Sequence, residues 1–223
     1  MLNTQDKKNL ALVALLRKEG MQDERIIEFL DFGAGSPDDT RNQEEMHRGK
    51  KAKTTIASLS AIGLKNEWSE WIYTFVKMNK PKMILELGTC CGFSAITMAL
   101  ANTQGQVFTI EGAKEIAEVA QSNIQTAGSK NITQITGRFA DVLDGTLESI
   151  APIDFAFIDG HHDQEATLRY FKQIRPFMAK NSVMAFDDIA WSKGMENAWA
   201  LIELAAGKEK CENLGKIGIC YID

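Results

Sequence analysis

The segment Met83-Ile84-Leu85-Glu86-Leu87-Gly88-Thr89-Cys90-Cys91-Gly92-Phe93-Ser94 constrains the fold more than any other in the chain. Its first residues read as a buried strand, Gly88 to Gly92 as a tight turn, and the remainder as the start of a helix. The next apolar run, residues 106–110, closes on Glu111. A carboxylate about 20 residues beyond a glycine turn is how βαβ units hold the hydroxyls of a ribose. The spacing differs from that of a dinucleotide loop, which needs a second glycine so that backbone can approach a pyrophosphate. Cys90 occupies that position and carries a Cβ. The turn therefore suits a nucleoside ligand that lacks a pyrophosphate.

From Lys82 onward, short apolar runs alternate with amphipathic stretches. The pattern predicts strands over 82–87, 106–111, 132–137, 153–158 and 182–187, and helices over 92–102, 113–126, 141–149, 163–177 and 193–206. Such alternation predicts an α/β, Rossmann-like, doubly wound and mostly parallel sheet. The tail, Ile217-Gly218-Ile219-Cys220-Tyr221-Ile222, has strand character. Hairpinned with residues 209–214, it completes a seven-stranded sheet as an antiparallel last strand. Ahead of this unit, residues 5–19, 21–31, a segment around Ile56, Leu59 and Ile62, and another around Trp68, Trp71, Ile72 and Phe75 carry apolar positions at helical spacing. Residues 1–78 are thus expected to form a helical cap, and residues 79–223 the nucleoside-binding domain. The loop from Asp31 to Ser36 and the polar stretch to Lys53 are placed in sequence to act as a lid.

With 223 residues, 44% of them hydrophobic, the chain can bury a substantial core. Its formal net charge of −5 disfavours a nucleic-acid partner, because phosphate contacts dominate such affinity. The one basic cluster, Arg48-Gly49-Lys50-Lys51-Ala52-Lys53, reads as a solvated face or loop. The stretch Ala11-Leu12-Val13-Ala14-Leu15-Leu16 is too short to span a membrane. Cys90, Cys91, Cys211 and Cys220 have neither a zinc spacing nor a disulfide framework, so a cytoplasmic protein with reduced thiols is expected. A homodimer is left open.

In an open parallel sheet, ligands bind beyond the carboxyl ends of the strands. Four predicted strands end there in functional groups. The first ends in the glycine turn and the second in Glu111. The fourth ends in Asp159-Gly160-His161-His162 and the fifth in Asp187-Asp188. Asp187 or Asp188 can alternatively cap the following helix, and His161 can serve as a metal ligand.

Residues 82–191 resemble the class I S-adenosylmethionine-dependent methyltransferases, in particular the small-molecule O-methyltransferases of the catechol and caffeoyl-CoA type. The run from Glu86 to Ser94 carries the likeness, including the Cys before the second glycine and the aromatic–Ser pair after it. The resemblance implies that Gly88, Thr89 and Gly92 form the cofactor turn, that Ser94 meets the methionine carboxylate and that Glu86 helps hold its ammonium. It implies that Glu111 and Gly112 bind the ribose and that Phe139 and Ala140 line the adenine. It also implies catalytic roles for Asp159 and His162, with Asp159 facing the cofactor as well. In the metal-dependent members an Mg²⁺ or similar ion would sit on Asp159, Asp187 and Asp188. Here the chain departs from the pattern: Asp188 replaces an Asn, and His162 stands where a Lys base is usual. The implied reaction methylates a hydroxyl of a small-molecule acceptor, with Trp191 as a wall of its pocket. A protein that binds the cofactor without turnover, or an NAD-dependent oxidoreductase, are the competing readings.

Overall fold

The computed structural model describes residues 2–33 and 41–223. The lid residues 34–40 lie outside them. Eighteen helices and strands follow in chain order: α1 (Thr4–Gly20), β1 (Ile26–Asp31), α2 (Gln43–Arg48), β2 (Lys50–Thr55), α3 (Ile56–Ser60), α4 (Glu67–Asn79), β3 (Met83–Leu87), α5 (Phe93–Ala101), β4 (Gln106–Glu111), α6 (Lys114–Ala127), β5 (Ile132–Thr136), α7 (Phe139–Ile150), β6 (Ile153–Ile158), α8 (Gln164–Ile174), β7 (Met178–Phe186), α9 (Lys193–Ala206), β8 (Cys211–Asn213) and β9 (Gly218–Ile222).

Ile84, Leu85, Glu86 and Leu87 are all buried, because β3 lies in the middle of a sheet covered on both faces. That sheet has seven strands in the order β5-β4-β3-β6-β7-β9-β8. The first five run parallel, and β9 pairs antiparallel with β7. One face packs Leu85, Leu87, Ile158 and Phe186 against α7, α8 and α9. On the other, Ile84, Val107 and Phe157 meet Ile72 and Val76 of α4 and Ala95 and Met98 of α5. α4 therefore shares the sheet's own core. Side-chain caps set several helix starts: Asn3 and Asp6 form a capping box on α1, Asp163 caps α8 and Ser192 caps α9. Neither Asp187 nor Asp188 caps a helix; that position before α9 belongs to Ser192.

The region before α4 differs from the expected run of helices. Residues 26–31 form a strand, paired antiparallel with β2 in a separate two-stranded ribbon. Ile27, Phe29 and Asp31 turn inward while Ile26 and Leu30 remain exposed, a period of two. The apolar pair Ile26-Ile27 fits a helical face as well as it fits a strand, and β-branched residues favour the strand once a partner exists. The partner is the basic cluster. Lys50, Lys51 and Lys53 lie in β2 rather than in a loop, and Lys53 pairs across the ribbon with Glu28 at 3.3 Å. The cap is thus helices plus a ribbon, laid over α5 and α6 through Val13, Leu16, Leu59, Ile96 and Ile116.

Candidate active site

The strand order reverses between β3 and β6, and the carboxyl ends of these two strands meet closely. A Cβ on Gly88 would lie 2.0 Å from the Asp159 carbonyl oxygen, and Gly88 has φ +98°. Only glycine fits a backbone contact of this kind. Above it opens a cavity of about 800 Å³. Of the expected site residues, Gly88, Glu111, Gly112, Phe139, Ala140, Asp159, His162 and Asp188 line it, as does Trp191. Glu86, Thr89, Gly92, Ser94 and Asp187 do not.

Glu111 ends β4 at one side of the cavity. Its Oε2 accepts the Cys90 N–H at 2.9 Å and its Oε1 the Ala113 N–H at 3.0 Å. Each oxygen keeps a lone pair for a ligand hydroxyl. Burial raises the Glu111 carboxyl above its ordinary value, against the pull of those backbone N–H groups. Phe32, just past β1, lies over Gly112: a Cβ there would come within 3.0 Å of the Phe32 ring.

Glu86 lies in the layer below and is fully buried. The Thr109 hydroxyl donates to its Oε2, and the Thr89 hydroxyl is 2.6 Å from that of Thr109. Glu86 Oε1 is buried without a partner. Burial lifts the Glu86 carboxyl to about 7, opposed by the Ser94 and Thr109 hydroxyls and reinforced by the charge of Glu111. A buried acceptor with no donor is costly. It marks a place where a cationic or N–H-bearing group would be welcome.

The other side of the cavity carries the histidines. His162 Nε2 lies 3.5 Å from Asp159 Oδ1, and its ring is 5.6 Å from that of Trp191. Burial lowers His162 below the ordinary histidine value, so it is neutral at neutral pH, even with Asp188 and Asp187 pulling the other way. Burial, then repulsion from Asp187, pushes Asp159 well up. His161 pairs with Tyr170 instead. Its Nδ1 is hydrogen-bonded to the Tyr170 hydroxyl at 2.8 Å, its ring packs on Phe139, and burial takes it down to about 4. Cys90, His161, His162 and Asp188 all have positive φ, at 46°, 67°, 47° and 53°. Four non-glycine residues in this region, all lining one cavity, mark backbone strain collected at a site.

The expected metal ligands are not assembled around a common point. Lys216, in the turn before β9, extends its ammonium to Asp187 Oδ2 at 2.8 Å and also to Asp188 Oδ1. Among the described residues, no three His, Cys, Asp or Glu side chains form a group able to hold an ion. A cation is already supplied by the chain, so Asp159, Asp187 and Asp188 do not fit a divalent metal in this arrangement.

Residues 85–189 match the family model described as "Methyltransferase domain". This stretch of the chain is similar to that family. A catechol O-methyltransferase from Niastella koreensis is 32% identical over 136 residues, covering 60% of this chain and 61% of that one. A catechol O-methyltransferase from Mycobacterium tuberculosis is 29% identical over 147 residues, covering 65% and 64%. The chain thus spans about three fifths of the length of these curated relatives. Its fold matches that of a Bacillus cereus O-methyltransferase solved in complex with SAH, with a TM-score of 0.64, 22% identity and coverage of 75% and 86%. Two residues at this site escape the sequence pattern: Tyr170 and Lys216. The first reaches it from a helix face and the second from a hairpin turn, neither with a local signature. Among the described residues no helix is long and apolar enough to cross a membrane.

Proposed function

We propose that the protein is an S-adenosylmethionine-dependent methyltransferase acting on a hydroxyl of a small molecule. The observation that carries this reading is a single cavity with Glu111 at one side and the His162–Asp159 pair at the other. The names of the catechol O-methyltransferase relatives support the same reaction.

The residues present fit the cofactor. Gly88, with no room for a Cβ, forms the floor. Glu111 would take the ribose hydroxyls, and Phe139 and Ala140 the adenine. Glu86, with its unpartnered Oε1, would answer the ammonium, directly or through Thr109 and Thr89. Bound there, the cofactor supplies a sulfonium methyl group for in-line displacement by an oxygen nucleophile. Neutral His162 then takes the acceptor's hydroxyl proton on a ring nitrogen. The charges of Asp188 and Asp187, which favour protonated His162, steady the imidazolium that forms. Trp191 orients the acceptor, and Phe29, Phe32 and Met46 of the covering segment exclude water. Residues 79–223 hold the cofactor, and the segment before them supplies the cover.

The test has two arms. S-adenosylhomocysteine should raise the melting temperature, and Glu111→Ala should remove most of that rise, as native-state binding requires. Methyl-labelled donor should then transfer label to a catechol-type hydroxyl or to a compound in a metabolite extract. Binding without any transfer would leave a nucleoside-binding protein. No binding, with NAD binding instead, would defeat the reading.

A further inference from the structure

The cluster at the ends of β6 and β7 has a resident cation of its own. Lys216 is fixed at both ends to the segment it serves. Its backbone carbonyl accepts the Ile189 N–H at 3.0 Å, and its ammonium holds Asp187 and Asp188. The neighbours pin the turn. Ile217 is fully buried, and Gly218 lies so close under the Trp199 ring that a Cβ would come within 2.5 Å of it. Asp187 itself is 1% exposed, and its Oδ1 has no partner.

We propose that Lys216 is a positioning residue that takes the place of a divalent metal, balancing Asp187 and Asp188 and barring an ion from the site. The physical reason is local charge. A doubly charged ion on Asp187 and Asp188 would sit beside a fixed ammonium bonded to the same two carboxylates. It would meet repulsion and find Asp187 Oδ2 and Asp188 Oδ1 already engaged. Remove the ammonium and the arrangement reverses. Asp187 then offers both oxygens, one of them already without a partner, beside the freed Asp188 carboxylate. Oxygen ligands of this kind suit Mg²⁺ or Mn²⁺. The inference rests on the methyltransferase reading only for what the site is used for. Ion binding is measured without turnover, so its failure is separate from a failure of that reading.

The experiment is Mn²⁺ titration of the full chain, with the free ion followed by electron paramagnetic resonance. The wild-type protein should show no stoichiometric site. Lys216→Ala should bind one Mn²⁺ per chain at least tenfold more tightly than wild type. Lys216→Met, which keeps the volume and apolar stem, should do the same and guards against a folding defect in the first variant. Lys216→Arg keeps the charge and should bind no ion. Asp187→Asn in the Lys216→Ala background should abolish the new site. The proposal is overturned by any of three results. Wild type binding one Mn²⁺ that Asp187→Asn removes would show that the lysine bars nothing. Folded Ala or Met variants binding no better than wild type would show that no latent ion site lies beneath it. An Arg variant binding as tightly as the Ala variant would show that charge is not the reason.

Discussion

At the scale of single residues, Glu86 and Gly88 show what the proposed ligand site costs the empty protein. Glu86 has its carboxyl lifted to about 7 by burial, against an ordinary value of 4.5. The folded state therefore keeps a proton that the unfolded chain loses as pH rises through that interval. The Glu86 contribution to stability is fully present below pH 4.5 and lost once pH passes about 7, a difference of about 3 kcal/mol. Glu86→Gln should thus stabilise the ligand-free protein at pH 8 and change little at pH 5, as read by urea denaturation. If the unpartnered oxygen receives the cofactor ammonium, binding should release a proton near pH 6.5, and calorimetry in buffers of different ionisation enthalpy would record it. Gly88→Ala tests the floor of the cavity. Its Cβ would collide with a backbone oxygen, so a loss of about 3 kcal/mol is expected, with weakened cofactor binding. His162, lowered by burial, should give turnover that declines as pH falls through a value under 6.5, and His162→Ala should remove that dependence.

Between elements, one arginine of α1 holds the chain that links α3 to α4. The Arg17 guanidinium donates to the carbonyls of Ser60 at 2.7 Å and Leu64 at 2.6 Å, and to that of Ile62, while lying 4.4 Å over the Phe93 ring. These carbonyls follow the short α3 and have no helical partner of their own. Arg17→Met keeps the apolar stem and removes every donor. It should cost on the order of 3 kcal/mol and open the 60–66 segment to protease. Equal cleavage rates for variant and wild type would show that the α3–α4 connection is held by other contacts. The ribbon β1–β2 illustrates why residues 26–31 show no strand signal of their own. Its strands are separated by more than a turn's length of chain, so neither strand carries the hairpin signal that would have revealed the other.

For the whole molecule, the covering segment and the domain enclose the cavity jointly. Phe32 rests between Gly49 and Gly112, and Arg138 donates to the His47 carbonyl at 2.9 Å, so α2 and the segment after β1 touch the cavity at both Gly112 and Arg138. Cofactor binding should slow amide exchange over residues 41–55 more than over α9, none of whose residues lines the cavity. Unchanged exchange in that segment would show a fixed wall rather than a cover that closes.

The alternation from Lys82 onward determined the parallel sheet from the sequence alone, since a strand buried on both faces must be continuously apolar and its crossovers amphipathic. The glycine turn and Glu111 were legible for the same reason: backbone approach and a strand-end carboxylate are local requirements written into consecutive residues. Phe139 and Asp159 could be placed because each follows a recognisable strand. What lay beyond the sequence were pairings between distant segments. Ile27 and Phe29 became a strand only because Ala52 and its neighbours were available to pair. Asp187 and Asp188 became lysine-bound rather than ion-ready only because the β8–β9 turn brings Lys216 back to them. Charge compensation depends on distance in space, which packing alone decides.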